Sequence, residues 1–350
     1  MQALRKVAPG PGLSLEEVVE PRPTATDVVV EVEAASVCGT DLHIHHWDGW
    51  ASGRIHPPVT LGHEFAGTVV EVGADVRHIS VGDFVSAESH ITCGACSACR
   101  TGNGHLCERT EILGVDRDGA FARYVSVPET MIWKTNREKL PPEIATLQES
   151  FGNAVFATSE QDLSGRSVAV LGCGPVGLFT VAIAKASGAT SILASDLHPF
   201  RLGLAKKMGA DVVVDARQAV DHQGMDVVFE MSGSSQAITD AIRIARNGAR
   251  IILFGIPSRA VEVDVAAAIF KNLTVQAVSG RRIFATWYRT RWLLESGAVD
   301  LRPLITHEYG LEDWEQVFTK LGAGEACKII VYPGGRPAGS RPAEVAEVAG

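Results

Sequence analysis

The stretch SVAVLGCGPVGLFTVAIAKASGATSILASD, residues 167–196, constrains this chain more than any other. A short apolar run ends in Gly172, Gly174 and Gly177, spaced G-x-G-x-x-G, and an apolar segment of helical length follows directly. Glycines so placed permit a tight turn, close approach of a pyrophosphate to the backbone and close helix-strand packing, while the helix N-terminus favours the anion. A second apolar run then ends at Asp196, about twenty residues on. A carboxylate there accepts hydrogen bonds from ribose hydroxyls and repels a 2′-phosphate, so the segment predicts a βαβ unit that takes NAD rather than NADP. The competing reading is a glycine-rich βα turn that binds no nucleotide. Arg201, just beyond, is expected on the adenine side.

The alternation continues. From about 167 to 280, short apolar runs take turns with helical patterns such as PFRLGLAKKMGA and SQAITDAIRIARNGA, which implies a parallel sheet covered by helices. The first 150 residues differ: DVVVEVEAASV and EFAGTVVEVG are β-branched runs cut by Gly, Asp and Pro, the pattern of a β-rich domain with long loops. After 285, ATWYRTRWLLESG predicts a helix and CKIIVY a closing strand. At 350 residues the chain is long enough for two domains. The Gly, Pro and Ala content of residues 334–350 predicts a disordered tail.

Charge and hydropathy exclude whole classes of partner. The net charge is −9, with no basic block to neutralise phosphates, so neither a nucleic acid nor an anionic membrane surface is expected as a partner. The longest apolar run, 168–184, is interrupted by three glycines and a proline and does not read as a membrane span. The N-terminus MQALRKVAPGPG lacks an apolar signal core, which predicts a cytoplasmic protein.

Four of the seven cysteines, Cys93, Cys96, Cys99 and Cys107, are spaced C-x2-C-x2-C-x7-C. In a reducing compartment such a cluster binds metal in preference to forming disulfides, and four thiolates complete a tetrahedral zinc with no open position. Cys173 and Cys327 read as small apolar core residues. Upstream, SVCGTDLHIHHWDGW carries Cys38 among three histidines, and GHEFAGTVVEVG brings His63 and Glu64. Adjacent side chains in a strand point to opposite faces, so His63 and Glu64 reach one ion only if the backbone turns, which Gly62 permits. Thiolate, imidazole and carboxylate fill three positions and leave a fourth open, as a catalytic zinc needs. Water with Glu149 in place of Glu64 is the alternative donor set. His56, His78, His105, His198, His222 and His307 read as surface or satisfied residues, Trp47 and Trp50 as either packing or substrate-side groups, and Asp48 as a substrate-side group.

GHEFAGTVVEVG resembles the signature of the zinc-dependent medium-chain alcohol dehydrogenases, and the cysteine cluster and late G-x-G-x-x-G occur in that family's order over residues 1 to about 333. CGTDLHIHHWDGW, SHITCG, ESFGNAV, FEMSG and GRRIFATWY resemble the branch that oxidises L-threonine. The resemblance implies an α/β architecture. A GroES-like β-rich catalytic domain would span 1–150 and 291–350, a Rossmann doubly wound domain 151–290, with the active site in the cleft and a homotetrameric assembly. It implies Cys38, His63 and Glu64 on a catalytic zinc, a second, structural zinc on the four cysteines, and Thr40 and His43 as a proton relay. Val176, Asp196 and Arg201 would contact NAD, with Phe254, Gly255, Ile256, Val278 and Ser279 lining the nicotinamide side. Two departures stand out: Glu149-Ser150-Phe151-Gly152-Asn153 replaces Asp-Pro-Phe-Gly-Asn, and Ser279 replaces a tyrosine. Glu149 is expected to approach the metal or to tune the relay. Trp50 and His90 are the candidate substrate contacts. A polyol or butanediol-like alcohol is the alternative substrate, and a non-catalytic dinucleotide-binding scaffold the alternative function.

Overall fold

The computed structural model describes residues 1–218 and 222–336. The tail expected over 334–350 lies outside the described residues from 337 on. The chain divides into two compact units, residues 1–150 with 305 onward, and Phe151–Leu304. The return therefore falls at Ile305 rather than at 291. Side chains explain the shift. Arg281 donates to Asn153 at 3.2 Å, Arg289 to Ser159 at 3.2 Å, and Arg282 pairs with Glu160 at 3.2 Å, so the segment leading into helix Ala285–Glu295, and the helix itself, are tied to residues of the second unit.

In the second unit six parallel strands run in the order Val212–Asp215, Ser191–Asp196, Ser167–Leu171, Met225–Glu230, Ala245–Leu253, Thr274–Ala277. Numbered within the unit this is 3-2-1-4-5-6, the doubly wound order that opens a crevice beyond the first strand. The central strands are buried on both faces, which is why they read as continuous apolar runs rather than alternations. Helix Ser235–Ile244 lays Ala241, Ile242 and Ile244 against Ala169, Leu171, Leu193 and Val228. It stops at Ile244, short of the ARNGA that its sequence pattern includes, because those residues open the next strand, with Gly248 at φ 73°.

The first unit is β-rich. Its larger sheet runs Ile132–Lys134, Phe84–Ala87, Glu64–Val72, Asp27–Ser36, Lys328–Tyr332, Ile305–Gly310, with Tyr124–Pro128 also on Asp27–Ser36. A second sheet joins Ser14–Glu17, Gln2–Lys6 and Val59–Thr60. The register sets Ser36 opposite Glu64 on one side and Ile330 on the other, so the closing strand lies beside the strand that leads to Cys38. Among the described residues no helix is long and apolar enough to cross a membrane.

One half-buried carboxylate pins the N-terminal ends of three parallel strands. Asp226 accepts from Ser167 N at 2.9 Å, Ser167 Oγ at 2.8 Å and Arg246 Nε at 2.6 Å. Burial raises its pKa, but these donors outweigh burial and bring it from 3.8 to about 2. A depressed carboxyl stabilises the fold above its unfolded pKa and loses that contribution as pH falls through the folded value. Asp226→Asn should therefore cost about 2 kcal/mol at pH 7. In denaturant titrations that cost should shrink below pH 4 and vanish only below pH 2.

Candidate active site

The turn at Gly62 is what lets adjacent residues serve one site. Gly62 has φ 93°, and an added Cβ would lie 2.5 Å from the Phe121 ring, so no other residue fits. His63 precedes the strand that Glu64 opens. Across from them, Cys38 caps helix Gly39–His46, with Asp41 Oδ2 accepting from Cys38 N at 2.9 Å. The donor atoms of Cys38, His63 and Glu64 all lie within 4.8 Å of one another. Their chemistry fits a divalent metal: His63 Nδ1 faces Asp41 Oδ1 at 3.7 Å, which leaves Nε2 as donor, and the buried Glu64 Oε1 has no hydrogen-bond partner.

Electrostatics hold these groups in place. Glu64 is fully buried, and burial would raise its pKa, yet the Lys328 ammonium at 2.6 Å holds it below the usual carboxylate range. Lys328 moves the opposite way, upward, because Glu64 outweighs its own desolvation. Ser150 Oγ donates to the same oxygen, Oε2, at 3.0 Å, and Ser36 Oγ donates to it as well. Burial would lower His63, but Asp41, the Cys38 sulfur and Glu149 lift it to about 10, while burial lifts Asp41 above its ordinary value.

The HHWDGW loop separates into parts with different surroundings. Thr40 Oγ1 lies 3.8 Å from Cys38 Sγ. His43 is solvent-exposed, and its Nδ1 is 2.5 Å from Asp48 Oδ2. Asp48 Oδ1 meanwhile accepts from Trp50 N and Ala51 N at 3.0 Å, capping helix Gly49–Arg54. His45 stacks on Phe318 at 4.8 Å, a packing role. Trp47 adopts the left-handed conformation at φ 56°, with Lys6 over its ring. Trp50 stands 45% exposed, edge-on to His43.

Glu149, in the first turn of helix Gln148–Ser159, is grouped with Glu88 and His90, their donor atoms within 4.8 Å. Ser89 Oγ bridges them, at 2.5 Å from Glu149 Oε1 and 3.0 Å from His90 Nδ1. Glu88 and Glu149 are both buried, so two carboxylates and an imidazole share one cluster.

The four cysteines converge. Cys96 Sγ is 3.5 Å from Cys99 Sγ and 3.9 Å from Cys107 Sγ, bracketing the roughly 3.8 Å between sulfurs around a tetrahedral zinc with bonds of about 2.3 Å. All are free thiols. The Ala95 N–H, Arg109 and Cys96 N–H bring Cys93 down to about 5, whereas desolvation and the Cys96 and Cys107 sulfurs push Cys99 up to about 12, so four thiolates together call for a cation among them.

In the second unit the three glycines have three distinct tasks. A Cβ on Gly172, at φ 102°, would meet Ser232 at 2.8 Å, and one on Gly177 would strike the Gly172 carbonyl, so both positions exclude side chains. Gly174 caps helix Pro175–Ala186 and opens onto empty space, as a phosphate would need. A cavity of about 310 Å³ adjoins the turn, lined by Gly172, Asp196, Arg201, Ser232 and Ser234 among others. Asp196 is oriented by Cys173 N at 2.8 Å and His198 N at 2.9 Å, and each oxygen keeps a lone pair for a ribose hydroxyl. Arg201 lies 3.9 Å from it. Val176 sits in the first turn of the helix, Val278 is buried, and Ile256 and Ser279 are exposed. Phe254 N and Gly255 N both donate to the Glu230 carbonyl.

Residues 24–137 match the alcohol dehydrogenase GroES-like domain and residues 175–296 the zinc-binding dehydrogenase domain. The chain belongs to the zinc-dependent alcohol dehydrogenase family and is an oxidoreductase of GroES-like and Rossmann-type domains. Within that family it is 47% identical to the L-threonine 3-dehydrogenase of Symbiobacterium thermophilum, over 95% of this chain and 98% of that protein. Among solved structures, a putative zinc-binding dehydrogenase from Sinorhizobium meliloti bound to NADP superposes with TM-score 0.88 at 30% identity, covering 95% of this chain and 99% of that one. The 2R,3R-butanediol dehydrogenase of Bacillus subtilis follows at 0.87 and 30%, with the same coverage.

Sequence reasoning missed Asp41, Glu88, Ser232 and Lys328. Two had legible signals: Asp41 stands at the third position after the helix cap, and Lys328 is the lone charge in an otherwise apolar strand. Cys99→Ser should lower the zinc content by about one ion per chain while sparing the Cys38 site, because the two donor sets share no residue. Metal analysis by mass spectrometry and a thermal melt check this; loss of all zinc would overturn it.

Proposed function

We propose that the chain is an NAD-dependent L-threonine 3-dehydrogenase with two zinc ions, one at Cys38, His63 and Glu64 and one at Cys93, Cys96, Cys99 and Cys107. It moves hydride from the C3 carbon of L-threonine to the nicotinamide, giving 2-amino-3-oxobutanoate and NADH, and the hydroxyl proton goes to solvent. The observation that carries the reading is the three-donor set, with an exposed histidine on the helix that Cys38 caps, in a chain 47% identical to an L-threonine 3-dehydrogenase. Zinc, when bound, acts as a Lewis acid that lowers the pKa of the substrate hydroxyl.

The chain's own residues handle the proton. Thr40, beside Cys38, accepts it and passes it on, and His43 delivers it to water. Asp48 engages His43 Nδ1 and so leaves Nε2 to receive the proton. The clustered carboxylates of Glu88 and Glu149, with His90, are the groups that would suit the ammonium of an amino acid, which a plain alcohol lacks. The Asp196 carboxylate supports NAD over NADP.

Two exposed apolar surfaces support a homotetramer. Val275 lies on the edge strand Thr274–Ala277, near Ile269 and Phe270 in sequence, and Tyr288 and Trp292 share a face of helix Ala285–Glu295. Seven cysteines, none of them in a disulfide, support a reducing, cytoplasmic location.

Likeness to the butanediol dehydrogenase favours a small secondary alcohol as the second reading. NADH formation over a panel of L-threonine, L-serine, 2,3-butanediol and sorbitol, with and without chelator, separates them. L-threonine should lead by at least about tenfold in kcat/KM; preference for butanediol or sorbitol would reject the amino acid reading. Trp50→Ala and His90→Ala should raise KM for L-threonine more than KM for NAD, and equal effects would remove them from the substrate pocket. Asp196→Ala should shift the NADP to NAD ratio of kcat/KM by about 10- to 100-fold, the worth of a charge-assisted hydrogen bond.

A further inference from the structure

Helix Gly49–Arg54 carries Trp50 and is capped by Asp48, whose other carboxylate oxygen engages His43. Six residues are too few for a helix to hold itself in water, and only Ala51 of the six is buried, so its two ends carry much of its placement. One end is the Asp48 cap. The other is Arg54, whose guanidinium forks onto Asp116, with Nε 2.8 Å from Oδ1 and Nη2 2.5 Å from Oδ2. Nη2 also donates to the Thr110 carbonyl at 3.2 Å.

Thr110 and Asp116 belong to the surroundings of the four cysteines. Thr110 Oγ1 donates to the Cys107 carbonyl at 2.8 Å, the Arg109 N–H points to Cys107 Sγ at 3.4 Å, and Asp116 Oδ2 accepts from Ile112 N at 2.8 Å. Glu111–Ile112 pairs with His90–Ile91, just ahead of Cys93, which joins the two ends of the four-cysteine lobe. An exposed ion pair is worth little as a rule, but a bidentate fork within a network of backbone groups is the exception. Arg54 is where that network reaches the helix, 56 positions back in the chain from Thr110.

We propose that Arg54 is a positioning residue that transmits the order of the four-cysteine lobe to helix Gly49–Arg54, and so fixes Trp50 and, through Asp48, His43. A filled four-cysteine site thereby bears on proton delivery, although its donors share no residue with Cys38, His63 and Glu64. The proposal rests on the reading of His43 as the group that delivers the proton to water and of the four cysteines as a zinc site.

The test uses the full, zinc-loaded chain with Arg54→Gln, Cys99→Ser and the double variant, read by amide hydrogen exchange and by steady-state rates. Arg54→Gln should keep both zinc ions and speed exchange over residues 43–54 by at least about fivefold. It should lower kcat for L-threonine about three- to tenfold with KM for NAD within about twofold, and imidazole in the buffer should recover about half of the loss or more, because a free base takes the proton that a displaced His43 misses. Cys99→Ser should reproduce the faster exchange over 43–54, and adding Arg54→Gln to it should change exchange and kcat by less than about twofold further. A Cys99→Ser chain that loosens only the lobe, an Arg54→Gln chain that leaves 43–54 protected, or effects of the two that multiply would overturn the proposal. So would a loss of kcat that imidazole leaves untouched while His43→Ala responds to it. If His43→Ala does not respond either, the relay reading fails, and the exchange data still decide whether Arg54 transmits. A wild-type chain that holds no zinc at the four cysteines would reject the metal reading instead. Should Arg54→Gln fail to fold, Asp116→Asn, which keeps the shape of the acceptor and drops its charge, is read in the same way.

Discussion

The ion pair between Lys328 and Glu64, at 2.6 Å and buried on both sides, is the interaction on which the first unit depends. It joins residues 264 positions apart in the chain, so it forms only when the closing strand Lys328–Tyr332 docks on Asp27–Ser36. That docking places Ile330 opposite Ser36, and Ser36 is opposite Glu64. Breaking such a pair by removing one partner costs about 3–5 kcal/mol, because a charge is left buried and uncompensated. Sheet register, the last strand and the metal donors are therefore one structural fact seen from three sides.

Around that pair the site is built from short-range devices. The left-handed turn at Gly62 delivers His63 and Glu64 to one locus, and the cap of helix Gly39–His46 delivers Cys38. Asp41 serves twice, one oxygen on the Cys38 backbone and the other toward His63. The second unit shows the same economy at its glycine turn: two glycines are required by close contacts, and the third leaves room. In each place a backbone conformation positions the groups that carry the chemistry.

Much of this was readable along the chain. The G-x-G-x-x-G turn, the C-x2-C-x2-C-x7-C cluster and the Gly-His-Glu turn are local, since every residue they need lies within a few positions. The parallel sheet was readable because strands buried on both faces leave continuous apolar runs. The end of helix Ser235–Ile244 was not, because ARNGA suits a helix by composition and becomes strand through pairing with Met225–Glu230. Asp48 illustrates the difference within one loop. As a sequence element it sits beside two tryptophans and resembles a substrate group, yet its carboxylate is committed to His43 and to a helix cap.

The sequence by itself determined which chemical groups the chain brings: thiolates and an imidazole-carboxylate turn of the kind that can hold metal, a glycine turn of the kind that takes a dinucleotide, and the family that combines them. Tertiary structure decided how those groups are governed. It put Lys328 on Glu64, gathered Glu149 with Glu88 and His90, and moved the unit boundary to Ile305. The physical reason is that a motif is carried by neighbouring residues. The partner of a buried charge is chosen by strand register and packing, which bring together groups that have no relation in sequence.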